Sequence, residues 1–174
     1  MELRLDFEYP ASASVVYQTL ISPAYRAAAV GEAADGQRVV REDDDGARQE
    51  RVVEISGPGF VPGPIAKLLR IPPLTFRLEE TYTHAERAWV WRLRPSKLEA
   101  RISISGTERL TDTADGSTRT IELSVQVRMA LVGARAEKMI LESLRSSIAT
   151  GVEFDHRWLT SGGDAVRAPQ KAEA

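Results

Sequence analysis

The side chains with chemistry to offer recur at every second position of strand-like segments. Glu80, Tyr82 and His84 share one face of an alternating run from Thr75 to His84, and Trp89 and Trp91 follow at the same spacing. Glu108 ends a third such run that begins at Leu98. Carboxylates drawn into an apolar interior hold their protons more tightly and can act as general acids or bases. A histidine such as His84 exchanges a proton near neutral pH. The bland reading is that these residues sit wet at strand ends or pair with arginines such as Arg51 or Arg128. The pattern therefore names ligand contacts and assigns no catalytic residue. Alternating aromatics are also what pleated surfaces pack, so Trp89 and Trp91 read first as core residues bordering a pocket.

Other chemistries lack their residues. The chain holds two histidines and no cysteine, which leaves no zinc ligand set, no disulfide and no thiol nucleophile. No glycine-flanked serine elbow and no phosphate-loop lysine after a glycine is present. The acidic run Asp43, Asp44, Asp45, Gly46 lacks the further oxygen ligands of a calcium loop and reads as a hairpin tip. No metal and no cofactor is expected.

The element that must close over these strands is the stretch from Leu131 to Leu159. Ala136, Ile140, Leu144, Ile148, Val152 and Trp158 recur near the helical period, while Arg135, Lys138, Glu142, Arg145, Glu153 and Arg157 fall opposite. Ser143, Ser147 and Gly151 follow at intervals of four and thin the flank of the apolar face, where either a sheet side chain or a ligand fits. With Ile140 and Leu144 they complete the expected binding wall. Glu137 and Asp155 also project toward that face. Glu137 reads as a first-turn carboxylate favoured by the helix dipole, and Asp155 as a rim carboxylate paired with an arginine.

The strands are legible from their alternation. Leu3, Leu5, Phe7 and Tyr9 oppose Glu2, Arg4, Asp6 and Glu8 in a half-buried first strand. Pro10 stops it, Ser12 or Ser14 caps a short helix, Ser22-Pro23 breaks that helix, and Ala24 to Ala34 predicts a second. Gln37 to Glu42 and Arg48 to Ile55 form a hairpin, the runs 75–84, 89–94 and 98–109 follow, and Ile121 to Met129 is the last strand after an Asp115-Gly116 turn. Residues 57–73 are glycine- and proline-rich around Ile65 to Leu69, and read either as a plain connection or as a lid. The final residues, 161–174, are polar and aperiodic, which predicts a disordered tail after one domain over 1–160.

Composition narrows the function. A net charge of −2 gives no general attraction to nucleic acid. No run approaches the roughly 18 apolar residues that span a bilayer. The first residues lack the basic start and apolar core of a signal peptide. The expectation is a cytoplasmic protein without integral membrane association, as a monomer or homodimer.

The order of strand, two short helices, antiparallel sheet and long last helix resembles the START-like, helix-grip superfamily (SRPBCC). The segments FEYPASASVVYQTLIS (7–22) and LVGARAEKMILESLRSSIATGVEFDHRWL (131–159) carry the likeness. Within that superfamily the chain is most similar to bacterial members of unknown function. The resemblance implies an α+β fold in which a curved sheet of about six to seven strands wraps the C-terminal helix and leaves a hydrophobic pocket. Its members include lipid and sterol carriers, polyketide cyclases and aromatases, and fold does not fix activity. The leading expectation is a non-catalytic binder of a hydrophobic small molecule that is lipid-like, polyketide-like or isoprenoid-like. The alternatives are a cyclase- or aromatase-type enzyme using Glu80, Glu108 or His84, and an interaction module with a filled core.

Overall fold

The first strand shows how the chain builds its sheet: Glu2–Tyr9 (β1) alternates exposed and partly buried residues until Tyr9, which is buried. The computed structural model describes residues 1–30, 37–56, 75–96 and 98–162. Ser12 caps Ala13–Ile21 (α1) by accepting from the Val15 amide, and Ser22 both ends α1 and receives the Tyr25 amide of Pro23–Val30 (α2). Pro23 suits the first turn of α2, where its missing N–H costs nothing. The expected reach of this helix beyond residue 30 lies outside the described residues.

Gln37–Asp44 (β2), Arg48–Ile55 (β3), Phe76–Thr83 (β4), Ala88–Pro95 (β5), Ile102–Thr113 (β6) and Gly116–Val127 (β7) complete one antiparallel sheet. Its strand order is β1-β7-β6-β5-β4-β3-β2. Several boundaries differ from expectation, and two of them lengthen the last hairpin: β6 runs on to Thr113 and β7 starts at Gly116, where 109 and Ile121 were expected. Asp43 and Asp44 belong to β2, and the turn tightens to Asp45, Gly46 and Ala47, with Gly46 at φ +83° and Asp45 Oδ1 accepting from the Ala47 and Arg48 amides. Residues 98–101 are not strand. Arg101 and Ile102 both donate amides to the Leu98 carbonyl, because the chain must reverse after Pro95 before β6 can pair. β7 stops at Val127, where Met129 turns its amide back to the Val127 carbonyl. The stretch 57–73, expected to be a connection or lid, lies outside the described residues.

Gly133–Ser161 (α3) covers only part of the sheet. It packs on β7 and β1, while α1 sits over β6 and β7. Gly162, in the left-handed region at φ 68°, ends α3 and donates its amide to the Trp158 carbonyl. The expected disordered tail lies outside the described residues after that point. Two apolar clusters result. One joins Val53, Phe76, Leu93, Ile104 and Val125 to Ala136, Ile140 and Leu141; the other joins Tyr9, Val16, Tyr17, Tyr82, Trp89 and Leu110 to Val152. Phe7, Trp91 and Ile148 touch both. The backbone of α3 runs over β7 and β1, while its Ala136, Ile140 and Leu141 side chains join the inner residues of β3, β4 and β5 in the first cluster.

Candidate functional site

The inner side of β3, β4 and β5 holds an open pocket of about 400 Å³. Its apolar walls include Leu20, Ile55, Leu78, Leu93, Trp89 and Trp91, and its polar groups include Arg26, Arg51, Glu80, Tyr82, Glu108 and Arg119. A larger hollow of about 820 Å³ lies on the opposite face of the sheet. Outward-pointing side chains such as Arg4, Thr81, Arg92, Thr107 and Glu122 wall it, so it is the wet groove of a twisted sheet. The inner cavity has the apolar body and few placed polar groups that a small-molecule site requires.

Register explains how the inner residues meet. Glu80 faces Trp91 across β4 and β5, and Trp91 faces Gly106 across β5 and β6. One step along the strands, Tyr82 faces Trp89 and Trp89 faces Glu108. An added Cβ at Gly106 would lie 2.5 Å from both Cε2 and Cζ2 of Trp91 and 2.8 Å from Nε1. Near-equal distances to three consecutive ring atoms mean that the indole rests its face, not its edge, on the glycine. The ring is fixed at its nitrogen too, since Nε1 donates to Glu108 Oε1 at 2.8 Å.

Glu108 is one end of a buried polar chain. Its other oxygen accepts from Arg119 Nε at 2.8 Å and lies 2.6 Å from Nη2. Arg119 Nη1 donates to Asp155 Oδ2 at 2.9 Å, and the Asp155 carboxylate also accepts from the Tyr9 hydroxyl at 2.7 Å and from the Tyr25 hydroxyl. Asp155 is 1% exposed, a burial tolerable only because every partner is present. Burial alone would lower the Arg119 pKa, but Glu108, Tyr9 and Asp155 outweigh it and hold the guanidinium charged, above its ordinary value. Burial, reinforced by the Asp155 charge, raises Tyr9 and Tyr25.

A second set borders the cavity from β3 and α2. Glu80 accepts from Arg51 Nη1 at 3.1 Å and from the Tyr82 hydroxyl at 2.9 Å. Arg26 stands 4.9 Å over the Tyr82 ring and donates to Glu42 and Gln49. Tyr82 stacks against Trp89 at 5.8 Å, and Arg119 stands 5.2 Å over Trp89 on that ring pair's far side in the strand order. Burial, with Glu80 adding to it, raises Tyr82.

Five of the residues expected at a site, Glu80, Tyr82, Trp89, Trp91 and Glu108, border this cavity together. His84 stands apart at the end of β4, bonded through Nδ1 to the Tyr17 hydroxyl at 2.9 Å and through Nε2 to Asp44 at 3.2 Å. Ile140 is core, and Leu144 packs against the same cluster. Ser143 is half-buried, whereas Ser147 and Gly151 are exposed, and a Cβ added at Gly151 would meet nothing within 4 Å. Arg119, Arg26 and Tyr25 were not singled out by the sequence. Only Arg119 left a signal: counting back by twos from Ile121 puts it on the inner face of β7. Among the described residues, no group of three or more His, Cys, Asp or Glu could hold a metal ion, and no helix is long and apolar enough to cross a membrane.

A family model described as "Protein of unknown function (DUF2505)" matches residues 4–159. No curated protein matches the sequence. Among solved structures, the protein TTHA0849 from Thermus thermophilus is similar with a TM-score of 0.62 at 13% identity, over 93% of this chain and 99% of that one. The Zhui aromatase/cyclase from Streptomyces sp. R1128 gives 0.56 at 13% identity, over 95% and 99%. Ara h 8.0201 gives 0.54 at 7% identity, over 89% and 97%. These likenesses establish the helix-grip fold: an antiparallel sheet of seven strands, two short helices after the first, and a long C-terminal helix.

Proposed function

The chain belongs to the DUF2505 family, and from that premise we propose that it binds and carries a hydrophobic small molecule in the cavity over β3, β4 and β5. The observation that carries this reading is the cavity itself. About 400 Å³ of space walled by Leu78, Leu93, Trp89 and Trp91, with polar groups beside them, is large enough for a small organic molecule. The exposed Ser147 and Gly151, on the same side of α3 as buried Ala136, support a helix that stands clear of the sheet there. Residues through 160 act as one binding domain in this reading. The cytoplasm is the proposed location of the carrier, and the absence of cysteine is compatible with it.

Binding fits these residues better than cyclase or aromatase chemistry. Glu80 is committed to Arg51 and Tyr82, and Glu108 to Trp91 and Arg119, so neither carboxylate is free to take a proton from a guest. His84 is outside the cavity lining and bonded at both nitrogens.

Native mass spectrometry of protein purified from its own host, with displacement of 1-anilinonaphthalene-8-sulfonate from the full chain, tests the proposal. A non-covalent adduct and saturable dye binding are expected, both lost in Leu78→Trp, which fills the cavity while leaving far-ultraviolet circular dichroism unchanged. Wild-type protein with no adduct, and dye binding indifferent to Leu78→Trp, would overturn it.

A further inference from the structure

We propose that Trp91 is a fixed stacking platform and that the ligand it receives is a planar, conjugated ring system bearing oxygen substituents, not a flexible acyl chain. The inference rests on the binding reading above and names the ligand class of that same cavity.

Three observations carry it. Trp91 lies face-down on Gly106, where even a methyl group would come within 2.5 Å of the ring. The residue borders the pocket and is only partly buried where it packs beside both apolar clusters. Second, the ring is locked in its plane. Its N–H is held by Glu108, which Arg119 grips at 2.8 Å and 2.6 Å, and Arg119 is itself anchored to Asp155. Such a ring loses no rotameric freedom when a guest stacks on it, so the full gain of aromatic contact appears as affinity. Third, the neighbouring rings are already occupied. Trp89 stacks with Tyr82, Arg119 stands over Trp89, and Arg26 stands over Tyr82. Trp91, by contrast, is kept flat without a ring or cation partner among these described contacts.

A rigid flat surface discriminates by shape. A planar guest meets it over its whole area, with offset stacking favoured by the ring quadrupoles, whereas an acyl chain touches it along one line and must be straightened to do so. The polar groups lie beside the platform: Glu80 is its cross-strand neighbour, with Arg51 and Tyr82 attached, and Glu108 holds its nitrogen. Arg51 Nε is buried without a hydrogen-bond partner among the described residues, so an oxygen on the rim of a flat guest would supply an acceptor that a bare hydrocarbon lacks.

Isothermal titration of the full chain with 2-naphthol and with dodecanoate tests the proposal, using wild type, Trp91→Phe, Trp91→Leu and Gly106→Ala. Wild type should bind 2-naphthol. Trp91→Leu should weaken that binding about five- to tenfold and Trp91→Phe less, since a smaller ring still stacks. Gly106→Ala keeps the tryptophan and should lose as much as Trp91→Leu, because the new methyl lifts the ring from its seat. Dodecanoate should respond to none of these changes by more than about twofold. Should Gly106→Ala fail to fold, the comparison of Trp91→Phe with Trp91→Leu decides alone. Equal 2-naphthol affinity in wild type and Trp91→Leu, or equal losses for both probes, overturns the platform while leaving a binding protein. A wild type that takes up neither probe overturns the binding reading and this inference together.

Discussion

Arg119 of β7 and Asp155 of α3 meet at 2.9 Å beneath the two hydroxyls of Tyr9 and Tyr25, and this ion pair ties the long helix to the sheet. Arg119 continues to Glu108 and through it to Trp91. Burying two charges is costly, and the pair is kept only because every donor and acceptor around it is matched. Its purpose is therefore positional: it fixes where α3 crosses the sheet and how the cavity wall is held.

Removing one partner exposes that dependence. Asp155→Asn keeps the volume but strips the charge that balances Arg119 and accepts from two tyrosines. A loss of about 3–5 kcal/mol in unfolding free energy is expected, as for other broken buried pairs. Glu122→Gln, which removes one end of an exposed contact with Arg4 at 3.5 Å, should cost no more than about 0.5 kcal/mol. Urea denaturation of both variants beside the wild type checks the contrast. Comparable small losses in the two would show that the buried pair holds nothing in place.

Only part of this site is legible in the sequence. Glu80, Tyr82, Trp89, Trp91 and Glu108 lie on strands whose alternation alone assigns them inward. Arg119 obeys the same alternation, yet a charged residue on an apolar face reads as the strand's end, and what makes it tolerable is Asp155, 36 residues further along. Tyr25 and Arg26 sit on an eight-residue helix too short to show a period. Their partners come from α3, β2 and β3, which no local pattern connects to them. Glu137 shows the same limit. Its sequence position marks it as a carboxylate for its own helix, but its oxygens accept from the Val127 amide at 2.9 Å and the chain's amino terminus at 3.3 Å. The Val127 bond, the larger influence, holds its pKa below the ordinary 4.5.

The tyrosines give the protein an alkaline limit. All four, Tyr9, Tyr17, Tyr25 and Tyr82, are shifted above the ordinary value of 10.0, mainly by burial, with Tyr17 pushed up to about 12. A group whose native pKa exceeds its unfolded one keeps its proton in the fold after the unfolded chain has released it. Its stabilising effect is complete below pH 10 and is lost as pH rises through the native values. Absorbance at 295 nm should therefore show almost no tyrosinate at pH 10.5 in folded protein, then a steep rise coincident with loss of ellipticity. A gradual tyrosinate signal centred on pH 10, with the fold intact, would contradict the burial of these rings.

Gly133 sets two general effects against each other. It opens α3, and alanine in a helix is favoured over glycine by up to about 1 kcal/mol. Its own position argues the other way, because a Cβ there would sit 2.5 Å from the Val127 carbonyl oxygen, a backbone atom that can yield only by moving β7 or the helix. Forcing that separation costs about 1–3 kcal/mol by the measure of overpacked cores. The clash outweighs the propensity gain, and Gly133→Ala should lose about 1–2 kcal/mol in urea denaturation. Gly151→Ala tests the gain by itself, since its Cβ would meet nothing within 4 Å, and should stabilise by up to about 1 kcal/mol. If both substitutions stabilise alike, the start of α3 is less tightly seated on the end of β7 than this packing requires.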